Sequence, residues 1–274
     1  MKRSFSSLWL RSAFENLLLK SIIDSIESVA PRSTQESWDN SGMQVGDTGR
    51  DISSVLLTTD VTPDVVDEAV MCGCDLILSH HPLLFHGLKQ LCGQTPQARV
   101  VEQAIRHDIA IYSAHTSLDS VAGGINTRLA DKLGIKDYRI LVPNEANPSI
   151  GLGVIGKLPE KLNYADFIEQ IRTILGCPYV RFTRPAKEQI QTVALCGGSG
   201  AEFIEEAVHQ GADVYLTADC KYHEFQDADG RIGLVDIDHW YSERHAREIF
   251  KDILSPLGVK CVISEKDKSP INCI

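Results

Sequence analysis

Leu76-Ile77-Leu78-Ser79-His80-His81-Pro82-Leu83-Leu84-Phe85 decides how this chain is read, because a short apolar strand runs into two adjacent histidines and is stopped by a proline. An apolar run of this length between Gly73 and Pro82 reads as a buried strand of a parallel sheet, and such sheets place their chemistry just beyond the strand's carboxyl end. His80 and His81 stand there. Successive side chains of an extended chain point to opposite sides, so neighbouring histidines are poorly placed to chelate one ion and well placed to serve two ions side by side. For this stretch alone, the alternative is a pair of loop histidines capping a strand.

Outward from that strand the chain alternates between the two periodicities of strand and helix, which is the α/β signature. Phe14, Leu17, Leu18, Ile22, Ile26 and Val29 predict an amphipathic helix over 13–29, ended by Pro31. Residues 52–59 read as a strand ending at Asp60, and 63–71 as a helix with Thr62 as N-cap and Pro63 at its first position. Residues 109–114 form a further strand that delivers His115 and, four residues on, Asp119. A helix after Gly123-Gly124 closes on Gly134, and the Pro-, Asn- and Gly-rich stretch 141–159 reads as a boundary. The expected organisation is a targeting or disordered N-terminus over 1–20, a first α/β unit over 21–140, a connecting segment over 141–190, and a second α/β unit over 191–274 that completes the site.

The second unit repeats the first. Glu68-Ala69-Val70 followed by Gly73, Asp75 and an apolar strand matches Glu206-Ala207-Val208 followed by Gly211, Asp213 and an apolar strand, at a constant offset of 138 (206 − 68). Ile111 to His115 with the later Asp119 resembles Val235 to His239 with the later Glu243, at an offset of 124 (239 − 115). At this period the pattern is a duplication within one fold, not a solenoid.

Composition narrows the classes. The 274 residues, 43% of them hydrophobic, can bury a full core. No apolar stretch approaches the ~20 residues of a membrane helix. A net charge of −10 without a basic stripe argues against a nucleic-acid surface. The eight cysteines lack Cys-x-x-Cys spacing and read as reduced core thiols of an intracellular protein, cytoplasmic or mitochondrial. The mitochondrial option rests on residues 1–14, rich in Arg and Ser with no acidic residue before Glu15, the composition of a transit peptide.

The strand-end groups His80, His81, His115, Asp119, His239 and Glu243 mix imidazole with carboxylate and include no cysteine. That set suits Zn, Mn, Fe or Ni at a catalytic centre, since closed structural zinc sites favour thiolates. Neither His-carboxylate pair is expected to lie wholly within a helix; the helix after the second pair is expected to begin near Ser242, with Glu243 in its first turn. Any one of these histidines alone reads better as a hydrogen-bonded loop residue. Their symmetric distribution over the duplication points to metal. His86, His107, His209 and His245 are expected to be structural, and His223 to occupy the loop equivalent to His80 and His81. Gly197-Gly198-Ser199-Gly200 follows a strand and precedes a helix, so its N–H groups could hold an anion, although it lacks the Lys of a P-loop.

Trp38-Asp39-Asn40-Ser41-Gly42, Ser79 to Phe85, Ser113 to Asp119, Cys196 to Gly200 and Asp238 to Glu243, in that order, resemble the Ngg-interacting-factor-three-like family, whose members are also labelled GTP cyclohydrolase I type 2 homologues. The resemblance runs from about Ser21 to the C-terminus. It implies duplicated, intertwined α/β units with mixed sheets, a toroidal homohexamer, and a dinuclear metal centre facing the inner cavity. Carried over by position, it implies His80 and Asp119 on one ion, His81 and His239 on the other, Glu243 bridging, and His115 beside them. The chain departs from the family's usual pattern at Asp238-His239-Trp240-Tyr241 and at Thr217-Ala218-Asp219, and it lacks the long central insertion of some bacterial members. The expected function is metal-dependent hydrolysis of a small anionic, phosphorylated or nucleotide-like substrate, with His115 as the catalytic group for proton transfer. A metal-binding adaptor for transcription factors or other proteins, or a metal chaperone or store, is the alternative.

Overall fold

The computed structural model describes residues 16–274. The transit-peptide reading of 1–14 lies outside them. Within them, the helix expected from residue 13 begins only at Leu19, because Leu17 and Leu18 are extended and pair with Ile52 and Asp51.

The first half runs β1 (Leu17–Leu18), α1 (Leu19–Val29), β2 (Gly42–Val45), β3 (Asp51–Ile52), β4 (Ser54–Thr58), α2 (Pro63–Cys72), β5 (Leu76–Ser79), α3 (Pro96–Arg106), β6 (Ala110–Ser113), α4 (Thr116–Asp119) and α5 (Ile125–Lys132). The chain continues as β7 (Lys136–Pro143), β8 (Gly151–Asn163), α6 (Tyr164–Leu175), β9 (Arg181–Phe182), β10 (Gln189–Ser199), α7 (Ile204–His209), β11 (Val214–Ala218), α8 (Tyr222–Ala228), β12 (Gly233–Asp236), α9 (His239–Glu243), α10 (Ala246–Leu254) and β13 (Lys260–Ile263). Helix starts follow local chemistry: Thr62 Oγ1 accepts from Val65 N ahead of Pro63, and Asn163 Oδ1 accepts from Ala165 N ahead of α6.

Two sheets result. One has the order β13-β4-β5-β6-β2, parallel except for β2; the other has the order β7-β8-β10-β11-β12-β9, in which β10, β11 and β12 are parallel and the rest antiparallel. The duplication is visible in the sheets. β4-β5-β6 with antiparallel β2 beside β6 corresponds to β10-β11-β12 with antiparallel β9 beside β12.

β4, β5 and β6 are buried along their whole length, as an apolar run covered on both faces must be. One face packs Val55, Leu57, Leu76 and Leu78 against α1 and α10; the other packs Leu56, Ile77 and Ile111 against α2 and α3. In the second sheet Val193, Leu195, Val214 and Leu216 meet α5 and α6. The covering helices are thus exchanged. α5, from the first half, closes the second sheet, while α10 and β13, from the last thirty residues, close the first. This exchange makes the units intertwined.

The segment 141–190 carries more than a connection. β8, inside it, pairs with β7 on one side and β10 on the other, so the Pro- and Gly-rich stretch is the end of β7, a loop over 144–150 and the first part of β8. The cysteines are free; Cys74, Cys177, Cys196 and Cys220 are buried, but Cys92 and Cys273 are exposed, so not all of them are core thiols. No helix among the described residues is long and apolar enough to cross a membrane.

Candidate metal centre

The carboxyl ends of β5, β6 and β12 bring all six expected residues together. After β5 the backbone bends at His80 and His81. Ser79 Oγ lies 2.9 Å and Ser113 Oγ 3.2 Å from the His81 carbonyl oxygen, which fixes the bend. The divergence expected of neighbouring side chains is therefore absent. The two rings lie 5.0 Å apart, tilted by 40°, and both turn Nε2 toward Glu243 Oε2, at 3.7 Å from His80 and 2.8 Å from His81.

The other two histidines are delivered differently. The bonds Ala114 N to Ser79 O and Ile237 N to Thr217 O, 3.0 and 3.1 Å, mark equivalent points of the two halves. His115 follows Ala114 directly and stands at the N-cap of α4, whereas Asp238, at φ 69°, intervenes before His239. The structural register is thus one residue off the motif alignment. Asp238 takes the cap instead, accepting from Trp240 N at 3.1 Å. His239 and Glu243 consequently lie wholly within α9, with Glu243 at its last position, not in the first turn of a longer helix; Arg244 and His245 separate α9 from α10. At a spacing of four residues their side chains share one helix face, with His239 Nε2 2.9 Å from Glu243 Oε2.

Each of the four histidines is fixed through Nδ1. His80 Nδ1 lies 2.9 Å from Ala114 O, His81 Nδ1 2.8 Å from Asp60 Oδ1, His115 Nδ1 2.8 Å from Asp39 Oδ1, and His239 Nδ1 2.7 Å from Asp219 Oδ2. An acceptor on Nδ1 sets the tautomer that leaves the Nε2 lone pair free, as in metal-ligating histidines. Sequence reading passed over Asp39, Asp60 and Asp219 as site residues. Asp60 and Asp219 follow strands β4 and β11 at the same end of their sheets, a placement that marks both. Asp219 also occupies the position equivalent to His81, so Ala218-Asp219, not His223, corresponds to the histidine pair. His86, His107, His209 and His223 are exposed. His245 is buried, its Nε2 2.9 Å from Ile125 O.

The inward atoms fall into pairs. His80 Nε2 is 3.5 Å from Asp119 Oδ1, and His81 Nε2 is 3.2 Å from His239 Nε2. Two ligands on one tetrahedral ion, each ~2.1 Å away, stand roughly 3.4 Å apart. His80 Nε2 and Asp119 Oδ1 are buried with no hydrogen-bond partner, although such atoms are costly to leave unsatisfied. His80, His81 and Glu243 together form a group that could hold a metal ion. The residues fit a cation. Electrostatics agree: burial opposes charge on His81, but Asp60 and Glu243 push its pKa up to about 10, and Glu243 with Asp219 pushes the buried His239 up to about 11. Burial pushes Asp119 up to about 6 against the pull of His80. Glu243 is held well below the carboxylate range, despite burial, by His239 and His80. A potential that retains protons on buried imidazoles also favours a divalent cation.

The glycine stretch serves the centre in an unexpected way. Gly197 and Gly198 lie inside β10, and the N–H groups of Gly197, Gly198 and Gly200 donate to Asn126 Oδ1, Ser242 Oγ and Thr217 Oγ1 at 2.8, 2.8 and 3.0 Å. No anion cradle remains there. Gly198, at φ +66°, instead leaves room for Glu243, whose Oε1 would be 2.2 Å from a Cβ at that position.

The C-terminal tail braces the site. Buried Asp267 accepts from Thr59 N at 2.7 Å, next to Asp60, and from Trp240 Nε1 at 2.9 Å, next to His239; Arg247 lies 3.4 Å away. Glu68 holds the same tail by accepting from Ser264 Oγ and from Glu265 N at 2.8 Å.

Residues 17–270 match the Duf34/NIF3 (NGG1p interacting factor 3) family. A Clostridium perfringens protein named GTP cyclohydrolase 1 type 2 homolog is 34% identical over 261 residues, covering 93% of this chain and 99% of its own length. A Nostoc protein of the same name is 37% identical over 78% of this chain and 82% of its own. Among solved structures, a Staphylococcus aureus hypothetical protein superposes with a TM-score of 0.88 at 28% identity, covering 95% of this chain and all of its own. Reduced HcgD from Methanocaldococcus jannaschii gives 0.79 at 26%, covering 92% and 99%. The family match over nearly the whole described chain, the near full-length relatives and the shared fold place this chain in the Duf34/NIF3 (NGG1p interacting factor 3) family.

Proposed function

We propose that the chain is a dinuclear, metal-dependent hydrolase of a small anionic substrate, phosphorylated or nucleotide-like. His80 and Asp119 would hold one ion, His81 and His239 the other, with Glu243 between them. The observation that carries this reading is the pair of buried, partnerless atoms His80 Nε2 and Asp119 Oδ1 beside His81, His239 and Glu243. Divalent ions here would supply Lewis-acid polarisation and positive charge for a substrate's anionic oxygens. Within the ligand set itself Asp119 and Glu243 return about two negative charges to about four, which suits the ions' open positions to an anionic oxygen, while the carboxylates of Asp39, Asp60 and Asp219 lie behind the imidazoles on their Nδ1 side. The name GTP cyclohydrolase 1 type 2 homolog, borne by the Clostridium and Nostoc relatives, supports a nucleotide-like substrate.

His115 is the proton-transfer group. Its Nδ1 is held by Asp39, which also accepts from Thr116 N at 3.1 Å, Thr116 Oγ1 at 2.6 Å and Ser41 Oγ at 2.9 Å. Burial would raise the pKa of Asp39, but these bonds hold it well below the carboxylate range. Asp39 is therefore a permanent anion that orients the His115 ring through Nδ1, leaving Nε2 as the atom that would exchange a proton. The same reading carries assembly as a homohexamer, with the centre facing its cavity. Elemental analysis and light scattering of purified protein, followed by a screen of phosphorylated metabolites, test it. His115→Gln is expected to lower kcat with little loss of metal, and Glu243→Gln to lose metal and activity together. A protein carrying two ions that hydrolyses no phosphoester, nucleotide, amide or cyclic amidine would reject the reading.

A further inference from the structure

Beside the centre stand two large aromatic rings that the fold leaves open. Trp38 is 57% exposed and Phe85 42% exposed. With His115 they make a three-ring corner: Trp38 lies 5.9 Å from Phe85 and 6.1 Å from His115, Phe85 lies 6.3 Å from His115, and all three pairs meet edge to face. His115 in turn lies 5.4 and 5.5 Å from His80 and His81, so Trp38 and Phe85 stand one ring removed from the candidate metal-binding group.

The backbone beneath these rings is pinned. Asn40 Nδ2 donates to Leu84 O at 2.9 Å, and Leu84 N donates to Gln44 Oε1 at 3.0 Å, tying the chain next to Phe85 to the chain next to Trp38. On the other side of Trp38, Glu36 N donates to Thr116 Oγ1 at 2.9 Å. Pinning the backbone while leaving the apolar rings in water presents preorganised stacking faces. Two rings offer the area of one planar ligand ring, far less than a protein interface requires.

We propose that Trp38 and Phe85 form a stacking subsite for a planar, nitrogen-containing aromatic ring, on a substrate whose anionic group reaches the metal centre past His115. This rests on the reading of that centre as an anion-binding hydrolase site. It assigns substrate discrimination to the ring and reaction to the anionic end. Trp38 supplies the main face and Phe85 the edge; a substrate lacking the ring binds through its anion alone.

The test measures affinity calorimetrically on the metal-loaded full chain. Its probes are inorganic phosphate and the hydrolysis-resistant 5′-methylenephosphonate analogues of ribose 5-phosphate and adenosine 5′-monophosphate. The adenosine compound is expected to bind about tenfold or more tightly than the ribose compound, an advantage lost in Trp38→Ala and largely kept in Trp38→Phe. Phosphate and the ribose compound should be unaffected by either change. Equal binding of the two analogues to the wild type, or an advantage that survives Trp38→Ala, would overturn the subsite while leaving the metal-centre reading intact. Failure of all three probes to bind would overturn both. A Trp38→Ala protein that changes its oligomeric state in sedimentation but not its ligand preference would assign the corner to a contact between copies, and the proposal would fall.

Discussion

Gly198 shows how tightly single residues constrain the centre. A methyl group there would press on Glu243 Oε1 and force a left-handed backbone that non-glycine residues rarely adopt. Gly198→Ala is expected to weaken metal binding about 10- to 100-fold, the range for losing a supporting residue, as measured by competition with a chelator. Unchanged affinity would mean Glu243 is not a ligand. His245 carries a different consequence. Burial pushes its pKa down to about 4, against ~6.5 in an unfolded chain. As the pH falls below ~6.5 the unfolded chain takes up this proton first, so the contribution is complete above ~6.5 and about 3 kcal/mol is lost on reaching pH 4. Urea unfolding of metal-free His245→Gln, which keeps an amide donor for Ile125 O, should show that much less acid destabilisation than wild type.

Among the elements, α9 shows what a linear pattern hides. Motif spacing aligned His115 with His239, but Asp238 adds a residue at the strand end and takes the cap, shifting the second histidine one position along its helix. Asp238 also accepts from Tyr179 OH at 2.8 Å and Ser269 Oγ at 3.2 Å. Asp238→Ala is expected to cost about 1–2 kcal/mol in thermal or urea unfolding and to weaken metal retention by moving His239. A loss of stability without a change in metal retention would show that the cap does not position that histidine. What the sequence revealed follows the same division. The buried strands, the helix start at Thr62 and the six strand-end groups were legible because each is written in a few consecutive residues. Asp39, Asp60 and Asp219 were not, because each is joined to its histidine across 76, 21 and 20 positions and only the folded sheets bring them within 2.8 Å. The bend that overrides strand alternation at His80-His81 depends likewise on Ser113, from a neighbouring strand.

For the molecule as a whole, exchange of α5, α10 and β13 between the sheets means that neither half has a complete core. Thermal unfolding of the metal-free protein is expected to be a single cooperative transition; two resolved transitions would show that the halves are independent. Asp267→Ala should leave that transition single while lowering metal retention, since it frees Thr59 and Trp240 together and leaves Glu68 holding the tail. The brace also imposes an order in time. The ribosome makes His80, His81, Asp119 and even Glu243 before it makes Asp267, so a nascent chain displays most of the candidate metal ligands while the residue that braces Thr59 and Trp240 beside them is still unsynthesised. On the proposed reading of the centre, tight metal capture would wait until Asp267 has been made. A product of failed translation cut short before Asp267 would, on that reading, hold an ion loosely and release it, so that a broken copy would not become a sink for metal.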